Sequence, residues 1–147
     1  MTSSSSQSIV INADAQRVLD VICDFAAYDQ WVEAVKNVEV IETDESGRAV
    51  LVGFVLDAGV FKDSYRLRYD HGEPLRVSWV LDEPSNVQKH QVGSYDLEDQ
   101  GNGACQVTYT LSVDLSIPML GMFKRKAEKM IMDTALRELK KRAEERQ

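Results

Sequence analysis

From Val38 onward the chain alternates apolar and polar residues with a period of two for some eighty residues, broken only by short polar clusters. In FKDSYRLRYD, Phe61, Tyr65, Leu67 and Tyr69 share one parity, while Lys62, Ser64, Arg66 and Arg68 share the other. CQVTYTLSVDL repeats the pattern with Cys105, Val107, Tyr109, Leu111, Val113 and Leu115, and RVSWVL sets Val77, Trp79 and Leu81 together. Successive side chains of a strand point to opposite faces, so each segment reads as a strand with one apolar and one wet face. The alternation predicts strands over 37–43, 48–57, 61–70, 75–82, 87–97 and 104–115, separated by DESG, DAG, DHGEP, DEPSN and DQGNG. Spacers this short suit antiparallel hairpins, because a parallel pair needs a crossover of about a dozen residues or more.

The pattern changes period at both ends of this region. Before it, Ile9 and Ile11 alternate with polar residues as a short strand. Ala15, Val18, Leu19, Ile22 and Phe25 or Ala26 then recur at helical spacing behind a cap at Asn12 or Asp14. Asp24 opens a second short helix that carries Tyr28, Trp31, Val32 and Val35. After Pro118, residues Leu120, Phe123, Ala127, Met130, Ile131, Ala135 and Leu139 return to helical spacing, with neither glycine nor proline from Met122 to Arg146. This predicts one helix of about six turns, roughly 35 Å long. A sheet with one apolar face must cover it. The expected fold is α+β, a curved antiparallel sheet of about seven strands wrapped around the C-terminal helix, with two short helices after the first strand.

At 147 residues, 44 % hydrophobic and 28 % charged, the chain is long enough to bury one core and has the composition of a globular protein. The opening MTSSSSQ predicts a disordered tail over 1–7, leaving 8–147 as a single domain. It lacks the basic-then-apolar pattern of a signal peptide, and no apolar run is long enough to span a bilayer. A cytoplasmic protein without stable membrane insertion is expected, with Cys23 and Cys105 as buried, reduced thiols. The net charge of −7 argues against nucleic acid as a partner. That charge is uneven: residues 118–147 hold nine Lys/Arg against five Asp/Glu, on an otherwise acidic chain.

Three segments, INADAQRVLDVICDFAAYDQW, VGSYDLEDQGNGACQVTYTLSVDL and IPMLGMFKRKAEKMIMDTALRELK, resemble the START-like (SRPBCC) superfamily, in particular its polyketide cyclase/dehydrase and lipid transport subgroup. The proline usual after the motif tyrosine is Asp29 here. The resemblance covers about residues 8 to 142 and implies the helix-grip fold, with a cavity between sheet and long helix. In that picture the ligand-binding side chains are Trp31, Phe54, Phe61, Tyr65, Trp79, Gln91, Tyr95, Tyr109, Met119, Met122, Phe123 and Met130.

Candidate chemistry is sparse. His71 and His90 have no partner at ligand spacing, so no metal or other cofactor is expected, and no nucleophile elbow or phosphate-binding loop occurs. Asp63 shares parity with Phe61 and Tyr65, and Lys89 and Gln91 share parity with Gly93 and Tyr95. Facing inward, these polar groups would orient a ligand; facing outward, they are rim residues. A buried Asp63 would also be the one candidate general base. Met119, Met122, Met130 and Met132 cluster on the closing helix, where thioethers adapt to a variable apolar guest or simply fill a core. Lys124, Arg125, Lys126 and Lys129 read as a solvated helix face or as a surface that attracts acidic headgroups. Two functions stand: binding, with transport, of a small hydrophobic or amphipathic ligand such as a lipid or polyketide, and an aromatase/cyclase or dehydratase using the same cavity. A module that docks a protein partner is a third.

Overall fold

A computed structural model of the chain describes residues 4–57, 62–116 and 121–145. Strand β1 (Ser5–Ile11) leads into helix α1 (Ala15–Cys23), a 3-10 turn (Phe25–Ala27) and a single-turn helix α2 (Tyr28–Trp31). Six strands follow: β2 (Val35–Thr43), β3 (Ala49–Asp57), β4 (Lys62–Asp70), β5 (Arg76–Leu81), β6 (Gln88–Gly101) and β7 (Ala104–Leu115). Helix α3 (Gly121–Glu144) comes last and, at 24 residues, is about 36 Å long. The seven strands form one antiparallel sheet in the order β1-β7-β6-β5-β4-β3-β2. This is the helix-grip architecture that the alternation and the long terminal helix predict.

The first strand corrects one expectation. It begins at Ser5, so Ser5, Ser6 and Gln7 are sheet and not tail. Ser5 to Ile11 pair residue by residue with Leu111 to Cys105, and the hydroxyls of Ser6 and Ser8 meet those of Thr110 and Thr108 at 2.9 Å. Cross-strand hydroxyl pairs of this kind stabilise the serine half of the strand, which lacks the apolar alternation of Ile9 and Ile11. At the β6–β7 turn, Gly101, Asn102 and Gly103 all take positive φ, a left-handed run that glycine adopts without strain.

One face of the sheet carries the core. The register aligns Tyr69 with Trp79, Trp79 with Gly93, and Gly93 with Leu111; the next row runs Val77, Tyr95, Tyr109. Helix α3 packs on β1, β7 and α1, burying Glu128, Met132, Leu136, Leu139 and Ala143. Those positions follow helical spacing along one side. Polar clamps fix both ends of this contact. Glu128 accepts hydrogen bonds from the Val113 amide and the Ser5 hydroxyl, both at 2.8 Å, and from the Lys124 ammonium. At the other end the Arg17 guanidinium donates to the carbonyls of Arg142, Ala143 and Glu145, capping the helix C-terminus.

Candidate ligand-binding site

The inner face of β3 to β7 is an almost continuous aromatic wall. Phe54 stacks on Tyr65 with ring centroids 5.6 Å apart, Tyr69 lies 5.7 Å from Trp79, Trp79 5.5 Å from Tyr95, and Tyr95 4.6 Å from Tyr109. Phe25 and Tyr28 join it from the short helices, Phe25 against Tyr69 at 4.4 Å and Tyr28 against Phe54 at 5.9 Å. The wall leaves one position without a side chain. A Cβ on Gly93 would stand 2.3 Å from Cζ2 of Trp79, so the indole rests directly on the glycine backbone.

The tyrosine hydroxyls set the chemistry. Tyr28 donates to the Ile22 carbonyl and is committed to the fold. The hydroxyls of Tyr65, Tyr69, Tyr95 and Tyr109 have no hydrogen-bond partner among the described residues, although every fully enclosed side-chain nitrogen or oxygen there does have one. Fully enclosed hydroxyls without partners are costly and none occurs among the described residues, so these four keep some contact with solvent. Burial pushes all four phenols up, with the Asp63 carboxylate adding to the effect at Tyr65 and Glu138 at Tyr95. Tyr65, Tyr109 and Tyr95 add to the rise at Tyr69, and Tyr95 and Tyr65 add to that at Tyr109. All four are therefore protonated donors at neutral pH, on an apolar wall without a cation.

One end of the wall is polar. Trp79 Nε1 donates to Gln91 Oε1 at 2.8 Å, Gln91 Nε2 to Gln88 Oε1 at 2.7 Å, and Gln88 Nε2 to Asp63 Oδ2 at 3.0 Å. Ser85 donates to the same Asp63 oxygen at 2.5 Å, and the Ser64 amide donates to Oδ1 at 3.0 Å. Asp63 is buried, with three donors and, among the described residues, no ion pair. Each member of the chain has a partner, so it acts as a lock that fixes the Trp79 indole.

The structure gathers Phe54, Tyr65, Trp79, Gln91, Tyr95 and Tyr109 on this wall, with Asp63 at its end. Phe61 and Met119 lie outside the described residues. Of the two orientations open to Lys89 the structure takes the outward one: the register slips between Gln88 and His90, so Gln88 turns inward and Lys89 outward to solvent. Trp31 is corrected. It touches the wall only at its margin, meeting Tyr28 edge-on at 5.0 Å, and lines an outer groove of about 480 Å³ with Arg17, Asp20, Asp24, Arg142 and Glu145. Met122, Phe123 and Met130 are corrected too, since all three stand exposed on α3, Phe123 and Met130 on the side opposite its buried stripe. The basic run divides likewise: Lys124 is largely buried against Glu128.

Phe25, Gln88, Ser85 and Glu138 escaped the sequence reading. Phe25 was legible only as a helix position, and Gln88 is hidden by the register slip. Glu138 reads as one more acid on a charged helix; its carboxylate accepts from the Glu33 amide at 3.1 Å, and burial raises its pKa. No cluster of His, Cys, Asp or Glu that could hold a metal occurs among the described residues.

Residues 2–144 match the family described as polyketide cyclase / dehydrase and lipid transport. Among solved structures, a START superfamily protein from Mycobacterium smegmatis superposes with a TM-score of 0.91 at 16 % identity, covering 96 % of this chain and 97 % of that one. The Zhui aromatase/cyclase from Streptomyces sp. R1128 gives 0.82 at 14 % identity, with 99 % and 96 % covered. A conserved protein from Geobacillus kaustophilus gives 0.77 at 14 % identity, with 96 % and 95 % covered. At these identities the likeness establishes the fold. No curated protein matches the sequence.

Proposed function

The chain belongs to the polyketide cyclase / dehydrase and lipid transport family, and on that premise we propose that it binds and carries a small, flat, largely apolar molecule bearing oxygen acceptors. The observation that carries this reading is the set of four tyrosine hydroxyls without partners on an aromatic wall. Rings supply dispersion and apolar burial, and hydroxyl donors orient carbonyl or phenol oxygens. Burying roughly 300 Å² of apolar ligand surface contributes about 7 kcal/mol, against an association cost of about 4 or more. Each added hydrogen bond of about 1 kcal/mol then changes affinity about fivefold. Carriage is favoured over catalysis because Asp63, the one candidate base, is engaged by three donors and holds the wall in place. The two free thiols and the absence of a long apolar helix among the described residues support a cytoplasmic location.

Fluorescence titration tests the reading with two probes, a polyhydroxylated flavonol and the hydrocarbon pyrene. Both should bind at one per chain. Tyr95→Phe and Tyr109→Phe should weaken the flavonol about fivefold each and leave pyrene unchanged. Absence of saturable binding by the folded protein would end the proposal. A cyclase reading is favoured by the likeness to an aromatase/cyclase; it requires that Asp63→Asn abolish turnover of a polyketide analogue while binding persists.

A further inference from the structure

Four of the large apolar side chains exposed among the described residues sit within ten positions of one helix: Met122 and Met130 at 65 % exposure, Phe123 at 52 % and Ile131 at 44 %. At 3.6 residues per turn, Phe123 and Met130 fall almost on one line, two turns apart. Met122, Lys126 and Lys129 occupy the adjacent line at spacings of four and three, while Arg125, exposed near the start of the helix, falls seven residues before Met132 and so on the line of the buried stripe. Arg125 and Lys126 are exposed and have no ion pair among the described residues; Lys129 pairs with Asp133 at 2.8 Å, and Lys124 is taken up by Glu128. The other exposed apolar residues are different. Ile41, Val55, Val80 and Val92 lie on the outer face of the sheet, Val80 directly opposite Val92, and on this face Arg66 and Arg68 pair with Asp82. There the charge is locally satisfied, whereas on α3 it is available.

We infer that the N-terminal half of α3, with Met122, Phe123 and Met130 beside the cation Lys126 and with Arg125 exposed further round the same turn, docks reversibly onto an anionic lipid surface. Apolar side chains next to unpaired cations are the composition of a helix that lies in the headgroup layer. Charge complementarity selects this occupant. The body before residue 118 is strongly acidic and is repelled by an anionic surface, while the basic terminal segment is drawn to it, so the molecule is oriented with α3 toward the lipid. The buried stripe through Met132, Leu136 and Leu139 stays on the sheet throughout, so docking needs no unfolding of the helix. The inference rests on the outer surface and is independent of whether the inner wall takes a ligand.

Co-sedimentation of the full chain with phosphatidylcholine vesicles, with and without phosphatidylglycerol, tests it. The protein should bind only the anionic vesicles, and added salt should weaken binding. Arg125→Glu combined with Lys126→Glu should lower the partition coefficient about 25-fold or more, fivefold for each cation removed. Phe123→Ser combined with Met130→Ser should abolish binding, and Val80→Ser combined with Val92→Ser should leave it unchanged. Equal binding to neutral and anionic vesicles, no binding to either, or wild-type binding by both α3 variants would each overturn the inference. So would a concentration-dependent dimer that Phe123→Ser with Met130→Ser dissolves, because a second copy of the chain would then cover this face.

Discussion

The two halves of α3 share a helix and little else. The C-terminal half sinks Leu136, Leu139 and Ala143 into the core and is held by Arg17 at its end, by the Lys140 ammonium on the Val10 carbonyl, and by Glu144 on the Asn12 amide. The N-terminal half touches the sheet mainly through Glu128 and Met132 and presents Met122, Phe123 and Met130 to solvent. A helix can therefore be a structural column at one end and an unpartnered surface at the other, and helical periodicity alone does not tell the ends apart.

Substitution should separate them clearly. The largest effect is expected in the Glu128→Ala and Leu139→Ala variants. Removing Glu128 strands the Val113 amide and the Ser5 hydroxyl and takes the carboxylate from the Lys124 ammonium, at a cost of about 3–5 kcal/mol. Leu139→Ala opens a cavity in the column and should cost about 2–5 kcal/mol by urea unfolding. If either variant falls within about 0.5 kcal/mol of wild type, the contrast between the halves fails.

A pH titration sharpens the same contrast more gently. The Lys140 ammonium, with the Asn12 amide, holds Glu144 below the ordinary carboxyl value of 4.5. A depressed carboxyl contributes stability that is present above its unfolded pKa and lost as the pH falls through the folded one. The C-terminal half should thus loosen below about pH 4.5, and Glu144→Gln should flatten that part of the profile. Glu138, raised by burial, works in the opposite direction: its contribution is complete below 4.5 and declines as the pH rises through its folded pKa. The smallest effect belongs to the exposed face. Phe123→Ser and Met130→Ser should each shift stability by no more than about 0.5 kcal/mol, measured by the same unfolding curves.

The strand core was legible because apolar alternation and turn clusters agree. Six predicted strands fall within a few residues of β2 to β7, although β6 runs on to Gly101. What was hidden has physical causes. β1 begins in serines, whose strand conformation comes from pairing with β7 and not from their own pattern. One register slip at the start of β6 exchanges Gln88 for Lys89, and alternation carries no mark of such a slip. On α3 apolar residues surround much of the circumference, so the spacing foretells a helix without foretelling its buried side. For the inner wall, Phe54, Tyr65, Trp79, Gln91, Tyr95 and Tyr109 were all recoverable because they obey strand parity. Trp31 was not, because a one-turn helix has no periodicity from which to read a direction.

The bare backbone at Gly93 makes the history of this wall asymmetric. Glycine is the smallest residue, so every replacement there adds volume beneath an indole that already fills the gap and is tied to Gln91. Relief can come only from moving the ring inward or leaving the lock unmade. A lineage carrying this residue can thus narrow its interior by one substitution at position 93 and can never widen it there. Any broadening of what fits must come from another strand.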